Sequence, residues 1–226
     1  MPICTYFAAL RYRGRGSLLT GAAALAGLAL LTACGSTASA GSSPITPATG
    51  TSAAATSTGP AATQAPVSAE TNPPGDIPDT TVYVGYRPPN SHVQVKVPEG
   101  WSRHDGAASS TFTSNLNTIS VAWNTAASAP TVSSVRASTI PALQRSTLAF
   151  RLVSVQAVTL KAGPAVETIY QVNSPPNQVT GRQYRLVIER FDLSRGGREV
   201  ALSLSCAVGS DNVDPWRIVS QSLTWS

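Results

Sequence analysis

The chain has 226 residues, of which 16 are basic, 11 are acidic, three are cysteine and two are histidine. Only 12% of the residues are charged, which is about half of the ~25% found in typical soluble domains. So few cysteines and histidines exclude a disulfide-dense scaffold and a zinc module, and the length allows one or two domains. The formal net charge of +5 suits a nucleic-acid partner until its distribution along the chain is considered.

Residues 1–33 have the pattern of a secretory signal. Arg11, Arg13 and Arg15 precede an uncharged stretch whose apolar centre contains Leu18, Leu19, Ala22, Ala23, Ala24, Leu25, Leu28, Leu30 and Leu31. This centre is shorter and richer in small residues than a membrane span, which needs about 20 predominantly apolar residues. Because the arginines are not adjacent, general secretion is favoured over a twin-arginine route.

The signal ends in Leu31-Thr32-Ala33-Cys34, which resembles a bacterial lipobox. In this pattern the small side chains fit a narrow peptidase cleft, and the cysteine thiol accepts a diacylglycerol. We therefore expect cleavage before Cys34 and lipid attachment to Cys34, which would anchor the protein at the outer face of the cytoplasmic membrane, in the cell envelope. The alternative is ordinary secretory cleavage near residues 38–40, which would remove Cys34.

Removal of the predicted signal takes away most of the excess positive charge. All 11 acidic residues follow Cys34, and three of the 16 basic residues precede it, so the mature chain has 13 basic residues and a net charge of +2. The basic character therefore indicates secretion, and no nucleic-acid partner is expected outside the membrane.

Residues 34–79 are predicted to form a disordered tether. Of the 36 residues from Cys34 to Ala69, 32 are Ala, Ser, Thr, Gly or Pro, and no charged residue occurs between Arg15 and Glu70. Such a composition buries too little apolar surface to offset the entropy of ordering. A flexible chain of this length spans roughly 35–40 Å, which suits a lipoprotein domain that must clear the membrane surface. A plain spacer is favoured over an O-glycosylated tract.

Residues 80–226 form the predicted folded domain, whose length suits a single domain. Val93, Val95 and Val97 alternate with polar residues, as in a strand with one buried face, and a turn follows at 98–100. Further alternation predicts strands around 119–123, 150–160, 166–172, 184–189 and 200–208, the last two joined by a hairpin at 194–197.

Two helices are predicted among these strands. Apolar residues recur at roughly helical intervals over 131–149, where Pro141 should kink or split the helix. Asp214 and Pro215 mark the start of a C-terminal helix, with the aspartate as N-cap. The order of strands, helix, four strands and helix indicates an α+β fold, an antiparallel β-sheet with helices packed on one face. A β-sandwich is the alternative.

A family resemblance rests on the turn Pro-Glu-Gly-Trp at 98–101, after an early strand. A strand containing Trp123, a mid-chain helix, a long meander and a C-terminal helix follow it. With the lipobox and the tether, this layout resembles the actinobacterial LpqN/LpqT-type lipoproteins, whose domain is similar to the PsbP-like α/β fold. The resemblance covers residues 80–226 in layout. It implies an envelope lipoprotein, with ligand or partner binding suggested for some members of the family and no catalytic residues to carry over. No cofactor is expected.

The candidate sites for chemistry are few. Cys206 lies in an alternating apolar strand and is expected to be a small buried core residue. His92 and His104 are twelve residues apart, so their convergence with a carboxylate on a metal ion is not expected. His104 and the adjacent Asp105 would serve a hydrolase, but the chain has no Gly-x-Ser-x-Gly elbow for a nucleophile. The chain is therefore expected not to be an enzyme.

Two groups of residues are candidates for binding. Five arginines surround one hairpin and are expected to form a solvated face with local ion pairs. The alternative is that they bind an anionic partner, such as lipid head groups or a wall polymer. These arginines are Arg182, Arg185, Arg190, Arg195 and Arg198. The candidate lining of an apolar ligand pocket is Tyr83, Tyr86, Trp101 and Trp123, although such aromatic residues more often belong to the core.

The predicted function is that of a lipid-anchored, non-enzymatic envelope protein. Its domain would bind an apolar or lipid ligand, or an envelope protein. An envelope hydrolase that uses His104 and Asp105 is one alternative, and a structural accessory subunit of an envelope complex is another.

Overall fold

The computed structural model of the chain describes residues 64–71, 74–126 and 128–226. The predicted signal, the lipobox with Cys34 and most of the predicted tether lie outside these residues. Within the described part, ten strands form two antiparallel sheets, accompanied by three α-helices and one π-helical segment. The α+β class and the antiparallel arrangement predicted from the sequence are confirmed.

Seven strands form the larger sheet. They are β3 (Ser102–Asp105), β4 (Ser109–Ser114), β5 (Asn117–Thr125), β6 (Leu148–Leu160), β7 (Gly163–Asn173), β8 (Arg185–Arg195) and β9 (Arg198–Ala207). Their order is β3-β4-β5-β9-β8-β7-β6, and every neighbouring pair is antiparallel. Strands that follow one another in the chain are neighbours in two meanders, which are joined where β9 pairs with β5.

Three strands form a smaller sheet. They are β1 (Tyr83–Tyr86), β2 (Val93–Pro98) and β10 (Thr224–Trp225), with β2 in the middle. In β2 the side chains of Val93, Val95 and Val97 are buried, while Gln94 and Lys96 are exposed, as the alternation predicted. The three valines belong to the same core as residues of the larger sheet, so the two sheets pack against each other.

One face of the larger sheet is covered by the smaller sheet and by α3 (Val213–Ser222). Trp216 and Val219 of α3 lie in the same core as Leu202 and Leu204, which share one side of β9. All four side chains are buried. Because full burial of a large apolar side chain contributes about 1.5–3 kcal/mol, this main core is the principal source of stability.

The opposite face of the larger sheet is covered by the helical region between β5 and β6. Val135 and Ile140 pack against Val166 of β7, and Leu143 packs against a cluster that contains Tyr170. Along β7, the residues that contact the helical region alternate with the residues that belong to the main core, so the two sets lie on opposite sides of the strand. The prediction that the helices share one face is therefore wrong. Because β7 is apolar on both sides, its pattern does not show which side a helix covers.

The helical region is interrupted, as its proline predicted. It consists of α1 (Val132–Ser134), a π-helical segment (Val135–Thr139) and α2 (Ile140–Ser146). Pro141 has no N–H to donate, and the wider π turn lies directly before the short helix that contains it. Because β6 begins at Leu148, the helical region is also shorter than the predicted range 131–149.

The turn between β8 and β9 requires two residues in the left-handed region. Gly196 and Gly197 have φ values of +59° and +75°, and they are the only residues between the paired Arg195 and Arg198. A Cβ added at Gly196 would meet no atom within 4 Å, so Gly196→Ala has only a conformational cost. We expect urea unfolding to show a loss of about 1 kcal/mol. Gly196→Asn should lose less, because asparagine tolerates this conformation; equal losses would contradict the conformational explanation.

The chain packs on the domain before residue 80, where the tether was predicted to continue. Ile77 is buried in the main core, and its N–H donates a 2.8 Å hydrogen bond to Oδ1 of Asn212. The carbonyl of Gly75 accepts hydrogen bonds from the side chains of Asn117 and Asn212. The packed part of the chain therefore extends upstream of the predicted boundary between 79 and 80.

Candidate functional site

Residues 64–71, which we call the strap, lie along the end of the larger sheet where the chain passes from β7 to β8. The N–H of Val67 donates to Oδ1 of Asn173 at 3.0 Å. In return, Nδ2 of Asn173 donates to the carbonyl of Ala65 at 2.8 Å and to Oε1 of Gln64 at 3.2 Å. One asparagine at the end of β7 therefore holds Gln64, Ala65 and Val67 of the strap through hydrogen bonds.

A cleft of about 550 Å³, here named the strap cleft, lies between the strap, α2 and the start of β6. Small-molecule sites in proteins have volumes of about 300–1,000 Å³, so the size suits a small ligand. The lining residues are Gln64, Pro66, Pro141, Gln144, Arg145, Ala149 and Phe150. The walls thus combine apolar surfaces with two amides and a guanidinium. Among the described residues that line the cleft, none is acidic.

Arg185, the first residue of β8, is linked to the strap cleft through Ala149. Its residue surface is only 5% exposed, and its Nη1 donates to the carbonyl of Ala149 at 2.8 Å and to Oδ1 of Asn173 at 3.1 Å. Its Nη2 has no hydrogen-bond partner among the residues that the structure describes. Buried charges are normally paired, because an uncompensated one costs several kcal/mol. Arg185 therefore places an incompletely hydrogen-bonded guanidinium behind Ala149, which is one of the residues that line the cleft.

Three guanidinium groups make this region electropositive. Arg145 lines the cleft, Arg185 binds the carbonyl of Ala149, and Arg151 lies near the start of β6. Burial lowers the pKa of Arg185, and the positive charge of Arg151 lowers that pKa further. Both effects oppose the charged form of Arg185, and a carboxylate or phosphate bound nearby would favour it.

The backbone is irregular at two places around the strap cleft. Ala149 has a φ of +50°, in the left-handed region that residues with a Cβ rarely adopt, and it lies at a register shift between β6 and β7. The π-helical segment ends immediately before α2, and π turns inside helices are frequent at functional sites. Strained conformations persist where the surroundings enforce them, and they concentrate at ligand sites.

Phe150 forms an apolar wall of the strap cleft and is held in place by Tyr170. The two rings are stacked, with centroids 5.3 Å apart and an interplanar angle of 27°. Burial raises the pKa of the Tyr170 hydroxyl, so this second ring remains neutral and contributes packing rather than charge. The apolar wall is therefore supported from the sheet behind it.

The aromatic residues predicted to line a pocket lie elsewhere, partly buried against the main core. These are Tyr83, Tyr86, Trp101 and Trp123. Tyr86 contacts Phe112 edge-on with ring centroids 4.9 Å apart, and Trp101 contacts Trp216 in the same manner at 6.5 Å. Such edge-on contacts are typical of aromatic packing. The strap cleft is lined by none of the four predicted residues.

His104 and Asp105, the residues of the hydrolase alternative, are exposed on β3 and point to opposite faces because side chains alternate along a strand. The carboxylate of Asp105 accepts hydrogen bonds from the hydroxyl groups of Ser110 (2.7 Å) and Tyr86 (2.8 Å) and pairs with Arg103. These partners, led by the hydrogen bond from Ser110, hold the pKa of Asp105 below its usual value. The two residues therefore do not form a His–Asp relay in this structure.

The five arginines predicted to form a solvated face occupy different environments. Arg182, Arg195 and Arg198 are exposed, in agreement with that prediction. Arg185 is buried, and the side chain of Arg190 is only 22% exposed, so the prediction is wrong for these two. The reason is that both sides of β8 are covered, one by the main core and the other by α2.

Cys206 is fully buried in the main core, as its position in an alternating apolar strand predicted. In the part of the chain that the structure describes, no group of three His, Cys, Asp or Glu side chains could hold a metal ion. Over the same residues, no helix has the length and apolar character needed to cross a membrane. The predicted lipid attachment at Cys34 falls outside the described residues.

The sequence did not single out the lining of the strap cleft. Gln64 and Pro66 belong to the low-complexity stretch assigned to the tether, and Arg145 is a single charge near a helix end. The one available signal was Arg185, a charged residue next to the first apolar residues of a strand. The sequence pattern groups Arg185 with the other arginines of the hairpin, because charge alone does not reveal burial.

Comparisons with known proteins give structural likenesses. No family model and no curated protein matches the chain. A crystal structure from Bacteroides thetaiotaomicron is similar with a TM-score of 0.43 and 12% identity, over 63% of this chain and 48% of that one, so the match spans about half of the Bacteroides chain. The Saccharomyces cerevisiae Ran-binding protein Mog1p has a TM-score of 0.45 and 8% identity, over 65% and 96% of the two chains. The solution structure of PsbP (CyanoP) from Synechocystis has a TM-score of 0.46 and 14% identity, over 69% and 100%. Membership of the LpqN/LpqT-type lipoproteins stays a prediction.

Proposed function

We propose that this chain is a lipid-anchored envelope protein that binds an anionic amphiphile in the strap cleft and catalyses no reaction. The lipobox at 31–34 supports the anchor, and a PsbP-like domain of the LpqN/LpqT type fits the same role. The observation that carries the ligand is the lining of the strap cleft, which combines the guanidinium of Arg145 and two amides with the ring of Phe150 and includes no acidic side chain among the described residues.

The class of ligand follows from the two kinds of wall. Arg145 and the amides of Gln64 and Gln144 are donors for a carboxylate or phosphate, and guanidinium groups bind such anions with charge-assisted hydrogen bonds. Phe150 and the two prolines of the lining offer apolar contact to the rest of the molecule. A small amphiphile with one anionic head group satisfies both.

The residues that line the strap cleft favour ligand binding over catalysis. The described lining of the strap cleft contains no serine, cysteine, histidine or carboxylate that would act as nucleophile or general base. Arg145 holds the anionic group, Arg185 adds positive charge behind Ala149, and the strap covers the ligand from one side. Because the strap is held by Asn173 through polar contacts, its opening provides a route for ligand exchange.

The test is isothermal titration of a soluble form, residues 59–226, with decanoate, decyl phosphate and decanol. We expect both anions to bind and the uncharged alcohol to bind at least about tenfold more weakly, because hydrogen bonds to charged groups contribute about 1.5–3 kcal/mol. Arg145→Gln should weaken decanoate binding about tenfold, and Gln144→Trp should block it by filling the cleft.

The matched control is Arg136→Gln, which removes an exposed arginine from the neighbouring π-helical segment and leaves the cleft lining intact. Its affinity for decanoate should equal that of the wild type. Decanol binding as strong as decanoate, or decanoate binding that both cleft variants leave unchanged, would overturn the proposal.

A further inference from the structure

Two hairpin turns lie together at the end of the larger sheet that is opposite the strap. Leu160 pairs with Gly163 across the β6–β7 turn, and Arg195 pairs with Arg198 across the β8–β9 turn. Since antiparallel strands reverse direction at each turn, both hairpins lie at one end. The β7–β8 loop, which contacts the strap through Gln183, lies at the other.

The hairpin end contains a groove of about 560 Å³ whose charged lining residues are all basic. They are Lys96 of β2, Lys161 of the β6–β7 turn and Arg217 of α3. The N–H of Lys161 donates to Oε1 of Gln221 at 3.2 Å, which ties the turn to α3. Arg217 also pairs with Asp214 at 2.8 Å. Among the described residues, the two lysines therefore supply most of the positive charge of this groove that is not neutralised by an ion pair.

A second groove of about 310 Å³ adjoins the first at β10. Thr224 lines the first groove, while Trp225 lines the second together with Arg195 and Arg198. The indole Nε1 of Trp225 donates to the carbonyl of Ala162 at 3.0 Å, directly after Lys161. The two grooves therefore lie on either side of β10 and together bring five cations to this end of the sheet.

Apolar surface lies among these cations. Ile218 lines the first groove and is 42% exposed, and Trp225 lines the second groove with one side while it packs against the main core with the other. A soluble polyanion gains nothing from contact with these side chains. At a bilayer surface, however, lysine and arginine lie among anionic head groups while tryptophan and aliphatic residues reach the acyl boundary.

We infer that this basic end docks on the surface of an anionic lipid bilayer. The basic end comprises Lys96, Lys161, Arg195, Arg198, Arg217, Ile218 and Trp225. The lysines and arginines contact lipid phosphates, and Ile218 and Trp225 enter the interface between head groups and chains. This surface is separate from the strap cleft, and its binding does not depend on the lipid at Cys34.

The length of the chain is compatible with this docking in the anchored protein. Eleven residues of β7 span about 36 Å, which separates the strap from the basic end. The 29 residues between Cys34 and Gln64 span about 100 Å when fully extended. The tether is therefore long enough for the basic end to return to the membrane that holds the anchor.

The test is sedimentation of residues 59–226 with vesicles, because this form lacks the anchor and contains every residue of the three cores, all of which lie between Ile77 and Leu223. The vesicles contain phosphatidylcholine alone or an equal mixture with phosphatidylglycerol. We expect binding only to the anionic vesicles, weakened at 0.5 M salt. Lys96→Gln with Lys161→Gln should weaken binding roughly 25-fold, since each cation contributes about fivefold.

The control pair is Arg145→Gln with Arg151→Gln, which removes two cations at the strap end and should leave vesicle binding unchanged. This pair also separates the two proposals, because it impairs the strap cleft alone. Equal binding to both vesicle types, or equal losses for the two variant pairs, would overturn the inference. So would binding to soluble polyphosphate without binding to vesicles, which would identify the partner as a polymer.

Discussion

Replacing Arg190 with methionine should lower the free energy of unfolding by about 3–5 kcal/mol. Asp192 is 1% exposed, and its carboxylate accepts three hydrogen bonds from Arg190, two from Nε at 3.0 Å and one from Nη2 at 2.6 Å. Without the guanidinium, a buried carboxylate remains unpaired. Glu199 adds to the cost, because burial and the charge of Asp192 already raise its pKa. Urea unfolding of residues 59–226 measures the loss.

A second substitution distinguishes the lost charge pair from lost packing. Arg190→Met combined with Asp192→Leu removes both charges and should recover most of the stability, because a buried ion pair adds little over apolar residues of similar volume. Arg198→Met, at the exposed hairpin tip, should change the free energy of unfolding by about 0.5 kcal/mol or less. A single Arg190→Met variant as stable as the wild type would show that the pair contributes nothing.

Asn212→Ala should cost about 3 kcal/mol and release the segment from 74 to 79. The side chain is fully buried and makes three hydrogen bonds, from the N–H of Ile77 (2.8 Å), to the carbonyl of Gly75 (3.0 Å) and to Oδ1 of Asn117 (3.0 Å). Each bond contributes about 1 kcal/mol, and alanine leaves the buried partners unsatisfied. Urea unfolding and limited proteolysis provide the measurements.

The proteolysis result locates the effect in the segment. Cleavage between residues 74 and 79 should be faster in Asn212→Ala than in the wild type, while Gln94→Ala, an exposed position on β2, should leave both stability and cleavage unchanged. A variant with normal stability and a protected segment would mean that the burial of Ile77 and the remaining hydrogen bonds to Gly75 and Asp76 hold this part of the chain on the domain without Asn212.

Local patterns predicted the strands well because a single physical rule governs them. Val93, Val95 and Val97 are buried as their period of two required, and Cys206 is buried in the same manner on β9. The proline at 141 predicted the interruption of the helix through its missing N–H. In each case the residues that decide the structure are close together in the sequence.

Other features depend on contacts between distant parts of the chain. The side of the sheet that each helix covers is decided by β7 and β8, whose two sides are both apolar. The strap is held by Asn173, 106 residues from Val67, and composition alone assigned it to the tether. Likewise, Arg185 is buried through contacts with the start of β6 and the end of β7, so its burial is not apparent from its neighbours in the sequence.

The most direct test of the strap cleft is photolabelling of residues 59–226 with a decanoate that has a diazirine on its terminal carbon, followed by peptide mass spectrometry. The proposal predicts adducts within residues 64–66 and 141–150, competed away by unlabelled decanoate and reduced in Arg145→Gln. Adducts confined to peptides that contain Tyr83, Tyr86, Trp101 or Trp123 would contradict it and would place the ligand at the aromatic residues that the sequence first suggested.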